Sequence, residues 1–137
     1  MGAPTHVFRK GTLLPGTSPL RILVHAPTAA ALTRAHNNAN NIAANDPAPA
    51  VRILVDGDAV AAVLDAPDAV LDTRTLVCPN TLGRMNRNAP SPLVVLPQGA
   101  ALSLALMQQE GWGFVRDWTI RPVVKPQVAE FLEVAFP

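Results

Sequence analysis

One residue of this chain combines a nucleophilic side chain with a position that would activate it, the single cysteine Cys78. It ends a short strand-like run and is followed by Pro79, a residue favoured in the first turn of a helix. The unpaired N–H groups and the positive end of such a helix favour a thiolate over a thiol. The position therefore predicts a reactive sulfur, with Cys78 as the catalytic residue. The alternative stays open that Cys78 is a small buried hydrophobe, the usual role of a lone cysteine.

Polar residues also stand where the other predicted strands end. His25 closes the first apolar run, Asp56-Gly57 closes the second, and Gln98 follows the fourth. Because ligands of parallel α/β sheets bind at the carboxyl ends of the strands, these residues should share one edge of the sheet with Cys78. The predicted ligand cleft beside the thiol comprises His25, Asp56, Gly57, Asn80, Thr81 and Gln98.

Other patterns that would identify an enzyme are incomplete. Residues 11–18 have the glycine spacing of a phosphate-binding loop, but Thr17 replaces the required lysine and no strand-like run precedes it. The chain has no G-x-S-x-G elbow of a serine hydrolase. The histidines have no metal-ligand spacing with one another or with Cys78. We therefore predict neither a metal nor a cofactor.

Five short apolar runs alternate with helical patterns along the chain. Continuous apolar strands of this kind are buried on both faces, as in a parallel sheet covered by helices. Thr28, which precedes a helical repeat of apolar residues, is the expected N-cap of the first helix. The pattern predicts a three-layer α/β/α fold with a five-stranded parallel sheet. Its predicted strands span residues 20–24, 51–55, 74–78, 92–96 and 113–116, and its predicted helices begin near residues 28, 59, 79 and 99.

The composition indicates one domain whose surface is partly covered by neighbours. The chain has 137 residues, the size of a single domain. Charged residues make up only 15%, against about 25% in an ordinary soluble domain. We predict an irregular arm over residues 1–19, an α/β domain over 20–117 and an apolar extension over 118–137. The low charge and this extension predict a homo-oligomer in which the extension contacts a neighbouring subunit.

The same composition bears on other partners and on location. The net charge is +1 without a basic stripe, so we expect no nucleic acid partner. No apolar run approaches the roughly 18 residues that span a bilayer, so we expect no membrane insertion. The sequence starts without a signal-peptide pattern, and a single cysteine suits a reducing compartment. The expected location is therefore cytoplasmic.

Four stretches of the chain resemble the DsrE/DsrF-like family, and together they cover about residues 20–117. The resemblance implies a five-stranded parallel sheet of order 4-3-2-1-5 between helices, and assembly into trimers or hexamers. The stretches are Ile22-Leu23-Val24-His25, the asparagine-bearing helix RAHNNANNI at residues 34–42, Val77-Cys78-Pro79-Asn80-Thr81-Leu82, which is similar to the family's Cys-x-Asn-Thr segment, and residues 94–99 with 108–115.

The resemblance also implies a function. Some members of the family hold a cysteine that accepts sulfur as a persulfide and passes it on in cytoplasmic sulfur oxidation or tRNA thiolation, whereas many others have no assigned activity. By position, Cys78 would be the sulfur acceptor, and Asn80 and Thr81 would shape its loop. The implied partners are other sulfur-relay proteins.

The end of the second strand departs from the family pattern. Relatives often have a histidine and glycines there, whereas this chain has Asp56-Gly57-Asp58-Ala59. With the implied strand order, Asp56 lies beside Cys78 at the strand spacing of about 4.8 Å, where its charge would disfavour a thiolate. His25 would lie two strands away from Cys78, roughly 10 Å across the sheet. It would reach a shared ligand more easily than it would reach the sulfur.

Three functions therefore stay open. The first is a persulfide-carrying subunit of a sulfur relay, which needs one accessible thiol at Cys78. The second is a small-ligand-binding homo-oligomer in which Cys78 is chemically passive; the carboxylate of Asp56 favours it over the first. The third is a structural assembly module without chemistry, which the apolar extension and the low charge favour.

The asparagines of the first predicted helix add one expectation. Asn38 and Asn41 are mediocre helix formers, so their presence suggests hydrogen bonds to a neighbouring loop or subunit. The alternative is an exposed polar face. With such hydrogen bonds, replacing Asn41 by alanine would cost about 1 kcal/mol or more.

Overall fold

The structure is a computed structural model that describes residues 20–116. The predicted arm over residues 1–19 and the predicted extension over 118–137 lie outside the described residues. The strands are β1 (Arg21–Ala26), β2 (Ala50–Val55), β3 (Thr75–Val77), β4 (Val94–Val95) and β5 (Gly113–Arg116). The helices are α1 (Ala29–Ala43), α2 (Asp58–Asp65), α3 (Pro79–Met85) and α4 (Ala100–Gln109), with a 3-10 turn at Leu71–Arg74.

The five strands form one parallel sheet in the order β4-β3-β2-β1-β5. This confirms the predicted α/β fold and its five-stranded parallel sheet, and the strand order is the one that the family resemblance implied. In the register, His25 lies opposite Leu54 on β2 and Arg116 on β5. Because parallel strands all end at one edge of the sheet, the segments that carry His25, Asp56 and Cys78 come to the same edge.

Helices lie on both faces of the sheet, in agreement with the predicted three layers. One face packs against α1, α2 and α3: Val24, Ile53 and Val55 of the sheet share a buried cluster with apolar side chains of these helices. The other face packs against α4. Its smaller cluster consists of Leu23, Leu54, Cys78 and Ala100, with Leu104, Met107 and Trp112 among the side chains packed on it. Cys78 therefore belongs to the α4 face.

The first helix begins where the sequence predicts. Thr28 has extended backbone angles, and its hydroxyl accepts a hydrogen bond from the Ala31 N–H at 3.0 Å. Such a cap is worth about 1 kcal/mol. The buried side of α1 consists of three alanines and one leucine, Ala31, Leu32, Ala35 and Ala39, and the small alanines let the helix lie close to the sheet.

Asn41 is exposed on α1, and the contact from the Asn45 side chain is accepted by the backbone carbonyl of Asn41. This favours the exposed polar face over a hydrogen bond from the Asn41 side chain to a described loop. We expect Asn41→Ala to change the free energy of unfolding by less than about 0.5 kcal/mol, as for other exposed positions. Urea denaturation checks this value. A loss of about 1 kcal/mol or more would instead reveal a hydrogen bond of that side chain.

The edges of the sheet are less covered than the sequence predicts. The apolar runs of β4 and β5 indicate buried strands, and we expected helices to cover both faces. Both runs lie instead at the edges with exposed side chains: Val94 is 49% exposed, Val95 43%, Phe114 42% and Val115 41%. The reason is topological, because only the crossover from β4 to β5 runs back across the sheet. A right-handed crossover then places α4, alone among the described helices, on the second face.

Candidate functional site

Cys78 lies at the junction of β3 and α3. Its backbone N–H donates to the carbonyl of Val55 at 3.1 Å, so the residue extends the pairing of β3 with β2 by one step. It is also the N-cap of α3, with Pro79 at the start of the helix. The structure therefore has the strand-to-helix junction that the sequence indicates at Cys78. The side chain itself is buried, with 4% of the residue exposed, whereas a carrier thiol was expected to be accessible.

Two opposing effects act on the pKa of Cys78. Burial raises the pKa, because the charged thiolate loses solvation. Hydrogen bonds from the backbone N–H groups of Thr81 and Ala100, from the Thr81 hydroxyl and from the backbone N–H of Asn80 lower it by more. The pKa therefore lies below its ordinary value. The Cys78 side chain accepts no capping hydrogen bond from α3, which agrees with a neutral thiol being a weak acceptor. A thiolate is a much stronger acceptor, so the same N–H groups would stabilise it more.

The donors come from two helices that both begin next to the sulfur. Asn80 and Thr81 are in the first turn of α3, and Ala100 is the first residue of α4. Each helix N-terminus carries a partial positive charge, which favours an anion within its first turn. The sequence predicts both helix starts, near residues 79 and 99, but not that the N–H of Ala100 acts on the sulfur, because a main-chain donor has no signature in the residue types.

The loop before α4 explains how the two helices meet. Gly99, the N-cap of α4, packs so closely on Asn80 that a Cβ there would lie 2.5 Å from Asn80 Nδ2. The Gln98 carbonyl accepts a hydrogen bond from Ser103 Oγ at 3.1 Å, which ties the loop to α4. The loop that contains Gln98 therefore adjoins Asn80 in the first turn of α3. The described contact of Gln98 is made by its backbone, and its side chain is exposed.

Thr81 connects the Cys78 loop to the end of β2. Its buried hydroxyl oxygen accepts hydrogen bonds from the Gly57 N–H at 3.2 Å and from Arg84 Nη2 at 3.3 Å. Gly57 has a φ of +52° and lies close to the Pro27 carbonyl, 2.9 Å from where a Cβ would be. Gly57 and Thr81, which the sequence places at the ends of neighbouring strands, are therefore in direct contact.

His25 pairs with Asp56. His25 Nε2 lies 2.9 Å from Asp56 Oδ1, with 10% and 27% of the two side chains exposed. We expected Asp56 to disfavour a thiolate at Cys78, but its carboxylate is not among the groups that move the pKa of Cys78. Phe114 lies beside the imidazole of His25, with 6.2 Å between the ring centroids. Sequence analysis found neither the pairing nor this aromatic neighbour, because both depend on the strand register.

No model of a known protein family matches the chain, and no curated protein matches it. Within residues 20–116, no group of three or more His, Cys, Asp or Glu side chains is arranged to hold a metal ion. No helix in that range has the length and hydropathy needed to cross a bilayer. The family resemblance therefore rests on the quoted sequence stretches alone.

Proposed function

We propose that the chain is a DsrE-like persulfide carrier in a cytoplasmic sulfur relay, with Cys78 as the sulfur acceptor. The observation that supports this most is the position of the buried Cys78 at the start of α3 and against Ala100, the first residue of α4; the N–H groups of these helix starts lower the pKa of the thiol. Burial alone would keep Cys78 protonated and inert, and the donors from α3 and α4 reverse that effect. Surroundings that stabilise negative charge on sulfur suit both an attacking thiolate and the persulfide anion that it becomes.

The transfer balances without an oxidant. The Cys78 thiolate attacks the outer sulfur of a donor persulfide, R–S–SH, and forms a new S–S bond as the donor's S–S bond breaks. The donor leaves as the thiolate R–S⁻, and Cys78 becomes Cys78–S–SH. A thiolate of a relay partner then takes the outer sulfur by the same step and returns Cys78 as a thiolate. One cysteine per chain suits this exchange, because a second thiol would form a disulfide and release the sulfur as sulfide.

Persulfide formation can be read directly, because the full chain contains no other thiol. We expect the reduced chain to gain one sulfur atom per molecule on incubation with inorganic polysulfide, as measured by intact mass. Cys78→Ser should gain none, and dithiothreitol should remove the added sulfur as sulfide. A native chain that keeps its original mass, while its thiol remains reduced, would contradict the carrier function.

The second candidate is a small-ligand-binding protein in which Cys78 is passive. Two observations favour it: only 4% of Cys78 is exposed, and the His25–Asp56 pair supplies polar groups at the same sheet edge. In this case a maleimide would label Cys78 only after the chain is unfolded. Labelling of the native chain distinguishes the two candidates, and the Cys78→Ser variant measures the labelling that does not involve a thiol.

We also propose that the chain forms a homo-oligomer, a trimer or a hexamer as the resemblance implies. The outward side of α4 supports this, because Leu102 is 51% and Leu106 37% exposed. No charged side chain occurs between Asn88 and Gln109, and a helix that is apolar all round is normally buried. A second copy of the chain is the partner that fits, since an uncharged surface offers no counter-charge to an acidic or basic partner.

A further inference from the structure

A small cavity lies at the amino ends of β3 and β4, at the edge of the sheet opposite to Cys78. It has a volume of about 280 Å³ and is lined by the end of α2, the 3-10 turn before β3 and the loop before β4. We propose that this cavity binds a primary alkylammonium ion, with the carboxylate of Asp72 as its counter-charge. The site is separate from the proposed sulfur transfer and does not depend on it.

The walls of the cavity are apolar and carry one charge. Val63 and Leu93 line it from the buried core, whereas Pro90 and Pro92 are exposed and lie on its solvent side. Among the described residues that line the cavity, Asp72 is the only one with a charged side chain. Apolar walls with a few polar groups are typical of small-molecule pockets, which enclose roughly 300–1,000 Å³. The volume of this cavity therefore suits a small occupant.

The carboxylate of Asp72 is buried with most of its hydrogen-bonding capacity unused. Asp72 is 5% exposed, and the Asp68 N–H donates to its Oδ2 at 3.1 Å. No other described residue donates to the carboxylate, and none places a cationic side chain beside it. A carboxylate can accept about four hydrogen bonds, and a buried charge is costly unless it is paired. A bound cation would supply the counter-charge that the described residues lack.

The turn around Asp72 holds the carboxylate in place before any ligand binds. Asp68 Oδ1 accepts hydrogen bonds from the N–H groups of Val70 at 3.0 Å and Leu71 at 2.8 Å. The Leu71 side chain is buried in the core, and its carbonyl accepts from the Thr75 hydroxyl at 2.8 Å. Binding therefore requires little ordering of this turn, which favours affinity.

The surroundings of Asp72 select among cations. Asp72 belongs to no group of three or more His, Cys, Asp or Glu side chains that could hold a metal ion within residues 20–116. A guanidinium pairs best through two parallel hydrogen bonds, but Oδ2 already accepts from Asp68. Quaternary ammonium ions are recognised by aromatic rings, and the described lining contains none. A primary ammonium is a compact charge with three donors, for which the Ser91 hydroxyl of the lining is a second acceptor. Its alkyl chain would bury apolar surface against the walls.

The test is a titration of the full-length chain with n-butylammonium chloride, at constant ionic strength kept by sodium chloride and followed by backbone amide chemical shifts. We expect saturable shifts at Asp68, Asp72 and Leu93. Asp72→Asn should weaken binding at least about tenfold, because a hydrogen bond to a charged group is lost together with the charge. The asparagine keeps an acceptor for the Asp68 N–H. 1-Butanol, which has the same alkyl chain without the charge, should also bind at least about tenfold more weakly than n-butylammonium.

Asp68→Asn is the matched control for loss of negative charge. Asp68 is outside the described lining, and an asparagine there still offers an oxygen to the Leu71 N–H. This variant should bind n-butylammonium within about threefold of the original chain, as for other partly exposed charges. If Asp72→Asn does not fold, Ser91→Phe takes its place, because a phenylalanine at this exposed position of the lining would narrow the cavity and weaken binding.

The absence of saturable shifts in the full chain would overturn the inference, and so would equal binding of 1-butanol. An equal loss of affinity in Asp68→Asn and Asp72→Asn would also overturn it, since that result indicates attraction to the acidic turn as a whole. Nα-acetyl-lysine amide separates the two sources of an alkylammonium group. Binding as tight as that of n-butylammonium identifies a lysine side chain of another protein as the occupant, whereas much weaker binding identifies a free amine.

Discussion

Replacing Gly57 by alanine is expected to lower the free energy of unfolding by about 2–3 kcal/mol, at the upper end of the cost of a strained backbone position. Gly57 has a φ of +52°, a backbone conformation that residues other than glycine rarely adopt. An added Cβ would also lie 2.9 Å from the Pro27 carbonyl oxygen. That oxygen belongs to the backbone just after β1, so relief of the contact would displace the ends of two strands. Urea denaturation of the full chain measures the change.

Gly83→Ala is the matched control for this substitution. Gly83 lies inside α3, and a Cβ there would have no heavy atom of the described residues within 4 Å. Alanine is a better helix former than glycine by about 1 kcal/mol, so this chain should be as stable as the original or slightly more stable. Equal stability of the two variants would show that the close approach at Gly57 does not constrain the fold.

The architecture could be predicted because its signals are local in the sequence. Apolar runs of five residues indicate buried strands, and the Thr28 cap fixes the start of α1. The limits of β3 and β4 were less well predicted. The strands predicted over residues 74–78 and 92–96 are shorter in the structure, where they span Thr75–Val77 and Val94–Val95. Arg74 ends the preceding 3-10 turn, and β4 is an edge strand that pairs on one side only. Both effects are decided by neighbours in space, which a single run of residues does not specify.

The sequence predicts which residues lie at the shared edge of the sheet but not how they pair. The rule that ligands bind at strand ends selects His25, Asp56 and Cys78 from their positions alone. The rule does not say which of them touch. The contact of His25 with Asp56 depends on a register that sets His25 opposite Leu54, two residues before Asp56. The donor at Ala100 depends on the loop in which Gly99 packs on Asn80, and main-chain groups leave no pattern in the sequence.

Replacing both Leu102 and Leu106 by lysine is expected to convert the proposed oligomer into a monomer. The two leucines lie about one turn apart on the outward side of α4 and are 51% and 37% exposed. A lysine buried there would lose its solvation without a counter-charge, because no charged side chain occurs from Asn88 to Gln109. That penalty is several kcal/mol per ion, comparable to the roughly 8 kcal/mol that holds a micromolar complex together. Light scattering should then report the single-chain mass of 14.5 kDa.

Val70→Lys is the control that separates loss of an interface from a general effect of added charge. Val70 is 65% exposed, more than either leucine of α4, and it lies beside the acidic Asp68 and Asp72 in the turn before β3. This variant should keep the oligomer. A full chain that is itself a 14.5 kDa monomer would contradict the assembly. A chain ending at Asp117 tests the predicted extension, which lies outside the described residues. If that chain stays oligomeric while the double lysine variant dissociates, the outward side of α4 carries the interface without the extension.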